Sequence, residues 1–201
     1  MKVFDFDNTI YNGESIVDFF AFLLKKNKSL AFYIPKLIKT IAKYKHQKLS
    51  IDELYQIADK LSPLIIKNKE NAEQLIKEFW LKNGYKLKDE MLDKIDENDV
   101  IITASPQVLI DGIKDKLRTK NIICSKINLD TGKLEYLCMH SNKVSAFKEL
   151  YGDIEIDEFY TDSLNDIPMM NLSKRTFLVN GSNIKELSKN EIIEKDRRQK
   201  K

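Results

Sequence analysis

Residues 3–9 read Val-Phe-Asp-Phe-Asp-Asn-Thr, an apolar strand that runs directly into two carboxylates spaced two residues apart. Asp5 and Asp7 would place like charges beside the end of a buried strand, where burial and mutual repulsion both cost free energy. A hard divalent cation offsets such a cost, and Mg²⁺ prefers oxygen ligands of this kind. The stretch therefore predicts a Mg²⁺ site at the end of the first strand.

Later segments of the chain carry polar residues in comparable places. The apolar run Val100–Ile102 ends at Thr103, and a further apolar strand leads into Asp162. Between them, Lys143 stands just before a helical stretch. In open α/β sheets the ligand-binding groups gather at the carboxyl ends of the strands. We therefore expect Asp5, Thr103 and Asp162 to lie at one edge of a sheet.

Together these segments resemble the four motifs of the haloacid dehalogenase (HAD) superfamily in their usual order: Asp-Phe-Asp-Asn-Thr at 5–9, a strand-terminal Thr103, Lys143, and Asp-Ser-x-x-Asp at 162–166. The resemblance extends from Lys2 to about Val179, and its long helical insert is similar to the phosphoserine-phosphatase-like branch. It implies an α/β fold, with a Rossmann-like, mostly parallel sheet as core and an inserted α-helical cap over the site. Thr161 and the pair Ala104-Ser105 depart from the glycines that are usual in that branch.

The resemblance implies a phosphomonoester hydrolase, and the chemistry of the residues agrees. Asp5 can attack phosphorus in line and give an aspartyl-phosphate that water then cleaves. Asp7 can act as general acid toward the leaving alkoxide and then as base toward water, a role that carbon–halogen chemistry does not need. Thr103, the amide of Ala104 and the ammonium of Lys143 would bind the phosphoryl group and neutralise its charge.

The expected metal ligands are carboxylate and carbonyl oxygens. Asp5 and Asp162 would bind Mg²⁺ through their carboxylates, and the resemblance implies the backbone carbonyl of Asp7 as a further contact. Pro168 fits the first turn of a helix, so a tight loop before it would hold Asp166 near the metal or one of its waters. Asp also opens helices for structural reasons, and for Asp166 that alternative stays open.

The periodicity of apolar residues divides the chain into a split core and a helical insert. Between 13 and 85 they recur at spacings of three and four, as amphipathic helices require; the first set is Ile16, Phe19, Phe20, Leu23 and Leu24. From Asp99 onward, strand and helix patterns alternate, which favours a mostly parallel sheet. We therefore expect a core formed by residues 1–12 and 86–201 and a cap formed by 13–85.

Turn and cap signals predict several local elements. Strands are expected at Ile122–Ile127, Leu134–Met139 and Thr176–Val179, the last being the final strand of the chain. Ser105 and Pro106 would form the N-cap and first turn of a helix. A helix is expected over 32–41, another would open at the capping box Ser50–Glu53, and the charged tail from Lys195 would fray.

Length and composition limit the function classes. The 201 residues can bury a full core, and 32% are charged with a formal net charge of only +3, which argues against a nucleic-acid-binding protein. Cys124 and Cys138 have no metal or redox spacing and are expected to be reduced core residues. The most apolar window, Leu30–Ile41, contains lysines and is too short to span a bilayer. Because Met1 and Lys2 lead straight into the first strand, we expect no signal peptide and a cytoplasmic protein.

The substrate is less well determined than the chemistry. Glu14 stands where phosphoserine phosphatases carry a Glu for the substrate amine, which makes a small phosphoserine-like metabolite a candidate; it also suits a helix first turn. Those enzymes use a cap Arg for the substrate carboxylate, and residues 13–85 contain no Arg. A lysine does not replace the bidentate fork of Arg.

Other functions stay open alternatives. A phosphotransferase would use the same groups with an alcohol in place of water, and a non-catalytic phosphate-binding module would not need Asp7. Between Asp18 and Asp52 lysines accumulate without an acidic residue, which would suit a lipid-phosphate phosphatase at an anionic membrane surface. A solvated cap face explains the same lysines, and we favour it. The pattern carries no information on oligomeric state.

Overall fold

The computed structural model describes residues 1–35 and 69–199 and, between these ranges, the isolated positions 38, 39, 43, 52, 53, 56 and 59. Most of the helix expected to open at Ser50 falls outside this part of the chain, as do positions 36, 37, 40 and 41 of the helix expected over 32–41. Within it, no helix is long and apolar enough to cross a membrane.

Seven strands of the described residues form one sheet, in the spatial order β4-β3-β2-β1-β5-β6-β7. They are β1 Lys2–Phe4, β2 Val100–Pro106, β3 Asn121–Ile127, β4 Leu134–Tyr136, β5 Ile156–Thr161, β6 Ser173–Asn180 and β7 Asn183–Leu187. The five central strands are parallel, whereas β4 and β7 pair antiparallel at the two edges. Because β1 lies between β2 and β5, the residues at the ends of these three strands meet at one edge of the sheet.

Helices alternate with the strands, which confirms the α/β class and the mostly parallel sheet. They are α1 Ser15–Lys26, α2 Lys69–Asn83, α3 Asp89–Leu92, α4 Gln107–Asp111, α5 Ser141–Tyr151, α6 Ile167–Met170 and α7 Lys189–Gln199. Short 3₁₀ turns occur at Lys28–Tyr33, Gly84–Lys86, Lys114–Lys116 and Leu164–Asp166. The amphipathic pattern at 16–24 thus lies in α1, and α2 ends at Asn83, just before Gly84.

Several of the expected strands differ from the observed ones. The strand expected over Leu134–Met139 ends at Tyr136, because the amide of Cys138 donates to Oγ of Ser125 (2.9 Å) and not to a ladder carbonyl. The strand expected as the last one is followed by β7, which folds back after a turn at Gly181. Gly181 has φ 62°, a conformation that glycine adopts without strain.

The C-terminal segment is a helix and not the frayed tail expected from Lys195. A capping box opens α7: the amide of Glu191 donates to Oγ of Ser188 (3.2 Å), and the amide of Ser188 donates to the Glu191 carboxylate (2.8 Å). Ile192 is only 1% exposed and anchors the helix in the core. One buried residue and one cap therefore hold a segment whose remaining side chains are mostly charged.

The insert helices share a hydrophobic core with one face of the sheet. The ring of Phe6 meets Trp80 of α2 edge-on at 6.4 Å between centroids, and Phe19 of α1 meets Phe79 of α2 at 5.2 Å. The indole Nε1–H of Trp80 donates to the carbonyl of Leu109 (2.7 Å). A second cluster, which includes Val3, Val100, Phe159 and Met169, forms a separate core. The shared core fixes the N-terminus of α1 beside the loop that follows β1.

The two segments that connect the insert to the sheet run side by side. The amide of Asn12 donates to the carbonyl of Lys86 (2.8 Å), and the amide of Lys88 donates to the carbonyl of Ile10 (2.9 Å). These contacts lie at the boundaries expected for the cap. The division into a core and a cap as separate units stays a prediction.

Candidate active site

The side chain of Asp5 is paired with a lysine from a distant part of the chain. Asp5 directly follows β1, and its amide donates to the carbonyl of Tyr160 in β5 (2.8 Å), which fixes its backbone. Nζ of Lys143 donates to Oδ1 of Asp5 at 2.7 Å. The two residues are 7% and 4% exposed, so the ion pair is buried. The structure thus brings together two residues that the sequence pattern assigned to one site.

Lys143 lies in the first turn of α5, directly after a strained turn. His140 has φ 48° and ψ −125°, a conformation rare for a non-glycine residue, and the amide of Asn142 donates to the carbonyl of Met139 (2.9 Å). Burial lowers the pKa of Lys143, but the carboxylates of Asp166 and Asp5 outweigh it and hold its pKa well above the usual value. The two carboxylates therefore favour the charged form of the lysine.

Asp166 holds the other side of the lysine. Nζ of Lys143 donates to Oδ2 of Asp166 at 2.9 Å, and the hydroxyl of Thr161 donates to the same oxygen at 2.8 Å. The loop before Asp166 is a 3₁₀ turn in which Oγ of Ser163 accepts from an amide, and Pro168 lies in the first turn of α6, as expected. Thr161, which we did not predict as a site residue, fixes a carboxylate that in turn fixes Lys143.

Asp162 completes the acidic side of the site. It follows β5 directly and is half-buried, and its carboxyl interacts with the side chain of Asn8. Burial and the charge of Asp166 raise the pKa of Asp162 to about 6. Burial also raises the pKa of Asp5 well above its usual value, against the attraction of Lys143. The ammonium of Lys143 thus lies among three carboxylates, those of Asp5, Asp162 and Asp166.

The carboxylate of Asp7 is held by two serines. Oδ1 accepts from the amide of Ser15, the first residue of α1, at 2.6 Å, and Oδ2 accepts from the hydroxyl of Ser105 at 2.8 Å. Burial raises the pKa of Asp7, and the hydrogen bonds from Ser15 and Ser105 oppose the rise. Asp7 is thus tied to both the insert and the sheet, and neither serine was among the predicted site residues.

The prediction that Ser105 caps a helix was wrong. Strand β2 continues through Pro106, which pairs with Ser125 of β3, and α4 begins only at Gln107. The Ser-Pro pair is a common helix-start signal, and here it is a strand end. The hydroxyl of Ser105 is therefore directed to Asp7 and not to a helix amide.

Thr103 and Ala104 lie in β2, next to the loop that follows β1. Thr103 is fully buried, and its Oγ1 accepts from the amide of Ser105 (3.0 Å). The carbonyl of Ala104 accepts from the hydroxyl of Ser125 (2.6 Å). Ser105 consequently links Thr103 to Asp7, while the phosphate-binding roles of Thr103 and Ala104 stay predictions.

Glu14 reaches the site through Asn8. Oε1 of Glu14 accepts from Nδ2 of Asn8 (2.9 Å), and the side chain of Asn8 also interacts with Asp162. Asn8 has φ 56°, which turns the loop after β1 back on itself. Lys88 connects that loop to the turn at Gly181, because its Nζ donates to the carbonyls of Asn8 (2.6 Å) and Gly181 (3.0 Å). Burial lowers the pKa of Lys88. Neither Asn8 nor Lys88 was predicted from its sequence position.

The oxygen donors present fit a hard divalent cation. Among the described residues, no three His, Cys, Asp or Glu side chains form a group that could hold a metal. The expected set consists of the carboxylates of Asp5 and Asp162 and the carbonyl of Asp7, with Asp166 near the metal or one of its waters, and it stays a prediction. Burial, and after it the neighbouring carboxylates, raises the pKa values of Asp5 and Asp162, and a bound cation would offset the cost of burying these charges. Oxygen-only donors of this kind suit Mg²⁺.

Solved structures of other proteins have the same fold. A Bordetella pertussis Tohama I protein of unknown function is similar with a TM-score of 0.72 and 18% identity, covering 88% of this chain and 87% of that one. A phosphoserine phosphohydrolase-like protein from Francisella tularensis subsp. tularensis SCHU S4 gives 0.60 and 22%, covering 88% and 86%. A phosphoserine phosphatase in its apo form gives 0.53 and 18%, covering 87% and 82%. No curated protein sequence matches the chain.

A protein-family model described as haloacid dehalogenase-like hydrolase matches residues 3–171. The match spans most of the chain and includes every residue that the structure brings together around Lys143. The chain therefore belongs to the haloacid dehalogenase-like hydrolases.

Proposed function

We propose that this protein is a Mg²⁺-dependent phosphomonoester hydrolase that acts through an aspartyl-phosphate on Asp5. The observation that carries the proposal is the buried chain of contacts from Asp5 Oδ1 through Lys143 Nζ to Asp166 Oδ2, with distances of 2.7 and 2.9 Å. These contacts hold a nucleophilic carboxylate next to a positive charge. Catalysis of phosphoryl transfer depends mainly on such positioning and on neutralising the charge of the transferring group.

The reaction has two steps, in which Asp5 is first the nucleophile and then the leaving group, and Asp7 is first an acid and then a base. An oxygen of Asp5 attacks phosphorus in line, the bond from phosphorus to the ester oxygen breaks, and Asp7 gives its proton to the leaving alkoxide. Water then attacks the phosphorus of the aspartyl-phosphate, Asp7 takes a proton from it, and Asp5 and inorganic phosphate are released. Atoms and charge balance over the two steps, with an alcohol and phosphate as products.

Four residues would hold or surround the cation. Mg²⁺ would be bound by the carboxylates of Asp5 and Asp162 and by the carbonyl of Asp7. Asp166 would lie beside the ion and hold Lys143 in place. When bound, the ion neutralises charge on the phosphoryl oxygens. Asp162 follows β5, which pairs directly with β1, so its carboxylate and that of Asp5 start from neighbouring strand ends.

The non-bridging phosphoryl oxygens would meet donors from two elements. Lys143 supplies a charged donor, and the hydroxyl of Thr103 already accepts from the amide of Ser105, so its own proton remains for a ligand. The amide of Ala104 would add a further donor. These groups would bind the phosphoryl group itself and leave the rest of the substrate to the insert.

We propose a small phosphorylated metabolite as substrate, with phosphoserine-like esters as the first candidates. Glu14 lies at the start of α1, held by Asn8 next to Asp162, where it would meet a positive group of the substrate. The fold shared with phosphoserine phosphatase structures supports the same class. Residues 13–85 would form the cap that excludes water during the reaction.

Hydrolysis of an aryl phosphate, with and without Mg²⁺, tests the proposal. We expect wild-type protein to release phosphate only with the ion, and Asp5→Asn to release none under the same conditions. Asp153→Asn is the matched control, because its side chain is 95% exposed, and it should behave as wild type. Equal turnover by Asp5→Asn would refute the mechanism, and transfer of phosphate to an added alcohol in preference to water would favour a phosphotransferase.

A further inference from the structure

The carboxylate of Asp7 is clamped between two elements that are distant in sequence. The amide of Ser15, at the start of α1, donates to Oδ1 at 2.6 Å, and the hydroxyl of Ser105, at the end of β2, donates to Oδ2 at 2.8 Å. The hydroxyls of Ser15 and Ser105 are themselves 2.7 Å apart. Both serines are buried, at 0% and 2% exposure, so water does not compete for these bonds.

The direction of this hydrogen-bond chain follows from proton counting. A serine hydroxyl has one proton. When Asp7 is ionised, Ser105 donates its proton to Asp7, and the hydroxyl of Ser15 can then donate to Ser105. The chain therefore runs from Ser15 O–H to Ser105 O–H to Asp7 Oδ2, and one defined orientation of the carboxylate satisfies all three groups.

Ser105 is also connected to the phosphate side of the site. Its amide donates to Oγ1 of Thr103 at 3.0 Å, while its side chain binds Asp7. The two contacts use different atoms of one residue. Replacing Ser105 by alanine would thus remove the hydroxyl contact to Asp7 and retain the amide contact to Thr103.

We infer that Ser105 is a positioning residue that, together with Ser15, aims the carboxyl of Asp7 at the leaving oxygen of the substrate. Because Ser15 begins the first insert helix, the docking of that helix on the end of β2 adds the second contact that orients the acid. The inference rests on the proposed function, in which Asp7 protonates the leaving group.

A buried serine on the neighbouring strand provides a comparison. The hydroxyl of Ser125 is equally buried and binds the carbonyl of Ala104 (2.6 Å) and the amide of Cys138 (2.9 Å). It therefore joins backbone groups and contacts neither Asp7 nor Ser15 in these bonds. Ser125→Ala removes a hydroxyl of the same type from the same region without touching the acid.

The test compares two substrates of similar shape. Phenyl phosphate has a poorer leaving group than 4-nitrophenyl phosphate, so its cleavage depends more on a proton donor, and kcat/KM reports the step that forms the aspartyl-phosphate. For Ser105→Ala and Ser15→Ala we expect kcat/KM to fall by about tenfold more on phenyl phosphate than on 4-nitrophenyl phosphate. This effect is smaller than the full contribution of general acid catalysis to the rate, because Asp7 itself is retained. Ser125→Ala should change both substrates by one common factor, and Ser105→Thr, which keeps the hydroxyl, should restore the wild-type ratio. An unchanged ratio in Ser105→Ala would overturn the inference.

A second measurement decides the matter without activity. Urea unfolding of Ser105→Ala, Asp7→Ala and the double variant forms a double-mutant cycle. Coupled residues give a double variant whose midpoint shift is smaller than the sum of the single shifts, and additive shifts would overturn the positioning role. If wild-type protein hydrolysed neither ester, the proposed function would fail, and coupling in this cycle would still show that Ser105 holds Asp7.

Discussion

Nζ of Lys143 lies 2.7 Å from Oδ1 of Asp5, although 138 positions separate the two residues in the chain. The contact joins the end of the first strand to the first turn of α5, and a second carboxylate, Asp166, holds the same ammonium at 2.9 Å. Two acids and one base thus form a buried unit whose members cannot be removed singly without cost.

Lys143→Met removes the only ammonium of this unit and leaves Asp5 and Asp166 as buried, unpaired carboxylates. We expect a loss of about 3–5 kcal/mol of unfolding free energy, as for other buried ion pairs, and a fall in turnover on the order of a hundredfold or more. Urea unfolding and aryl phosphate hydrolysis measure the two effects. Lys148→Met on the same helix, where the lysine side chain is 48% exposed, should change neither by much. A stable and active Lys143→Met would contradict the role of the lysine.

Mg²⁺ should stabilise the folded protein through Asp162. A cation that binds only the native state raises the unfolding midpoint as its concentration rises. We expect such a rise for wild-type protein and for Asp153→Asn, its reversal by a chelator, and a much smaller rise for Asp162→Asn. Thermal unfolding at several Mg²⁺ concentrations measures it. A rise of the same size in Asp162→Asn would mean that the ion binds elsewhere.

Glu14 should matter for amine-bearing substrates alone. Glu14→Gln removes the negative charge next to Asn8 and keeps the size of the side chain. We expect KM for phosphoserine to rise by about tenfold, because one hydrogen bond to a charged group typically contributes about that much to affinity. KM for phenyl phosphate, which has no amine, should stay unchanged. Steady-state kinetics on both esters checks this. Equal changes for the two substrates would indicate a structural role for Glu14.

The capping box of α7 should make the C-terminal helix sensitive to acid. The hydrogen bonds with Lys185 and Ser188 lower the pKa of Glu191 to about 2, below its unfolded value. A lowered carboxyl pKa gives stability that is present above the unfolded value and is lost as the pH falls toward the folded one. We expect amide protection in α7 to decrease between about pH 4 and pH 2, and Ser188→Ala to cost about 1 kcal/mol at neutral pH. Hydrogen exchange measures both, and protection that rises toward pH 2 would be the contrary result.

The insert and the sheet should unfold together. Trp80, the single tryptophan, belongs to α2 but packs on Phe6 and donates to Leu109, so its surroundings belong to both parts. We expect its fluorescence and the far-ultraviolet circular dichroism to change in one coincident urea transition. Two separated transitions would show that the helices of the insert unfold independently of the sheet.

The charged site residues were predictable because Asp5 and Asp162 each follow an apolar strand and Lys143 fits the motif order. Asp5, Asp162 and Lys143 come together in the structure as the order of the motifs suggested. The residues that hold them were not predictable in this way. Thr161 and Ser105 have ordinary strand neighbours, and the bond between Ser15 and Ser105 joins residues 90 positions apart, so no local pattern reveals it.

The errors in the fold have two different causes. β7 contains few apolar residues, and only its pairing with β6 makes it a strand, which periodicity does not show. α7 carried a readable signal, Ser188 followed three residues later by Glu191, that was outweighed by the charge of the tail. The strand β7 can be recognised only from its pairing with β6. The helix α7 could have been predicted from its capping box, which the sequence shows.

The most direct test of the central claim is to find the phosphoryl group on the protein. After brief reaction of wild-type protein with an aryl phosphate and Mg²⁺, acid quenching and mass spectrometry should show one added phosphoryl group, and borohydride reduction should place it on Asp5. Asp7→Asn, which forms the intermediate from a good leaving group but is slow to release it, should accumulate more of it. Phosphate release without any phosphorylated protein in either form, or with the group on another residue, would contradict the account.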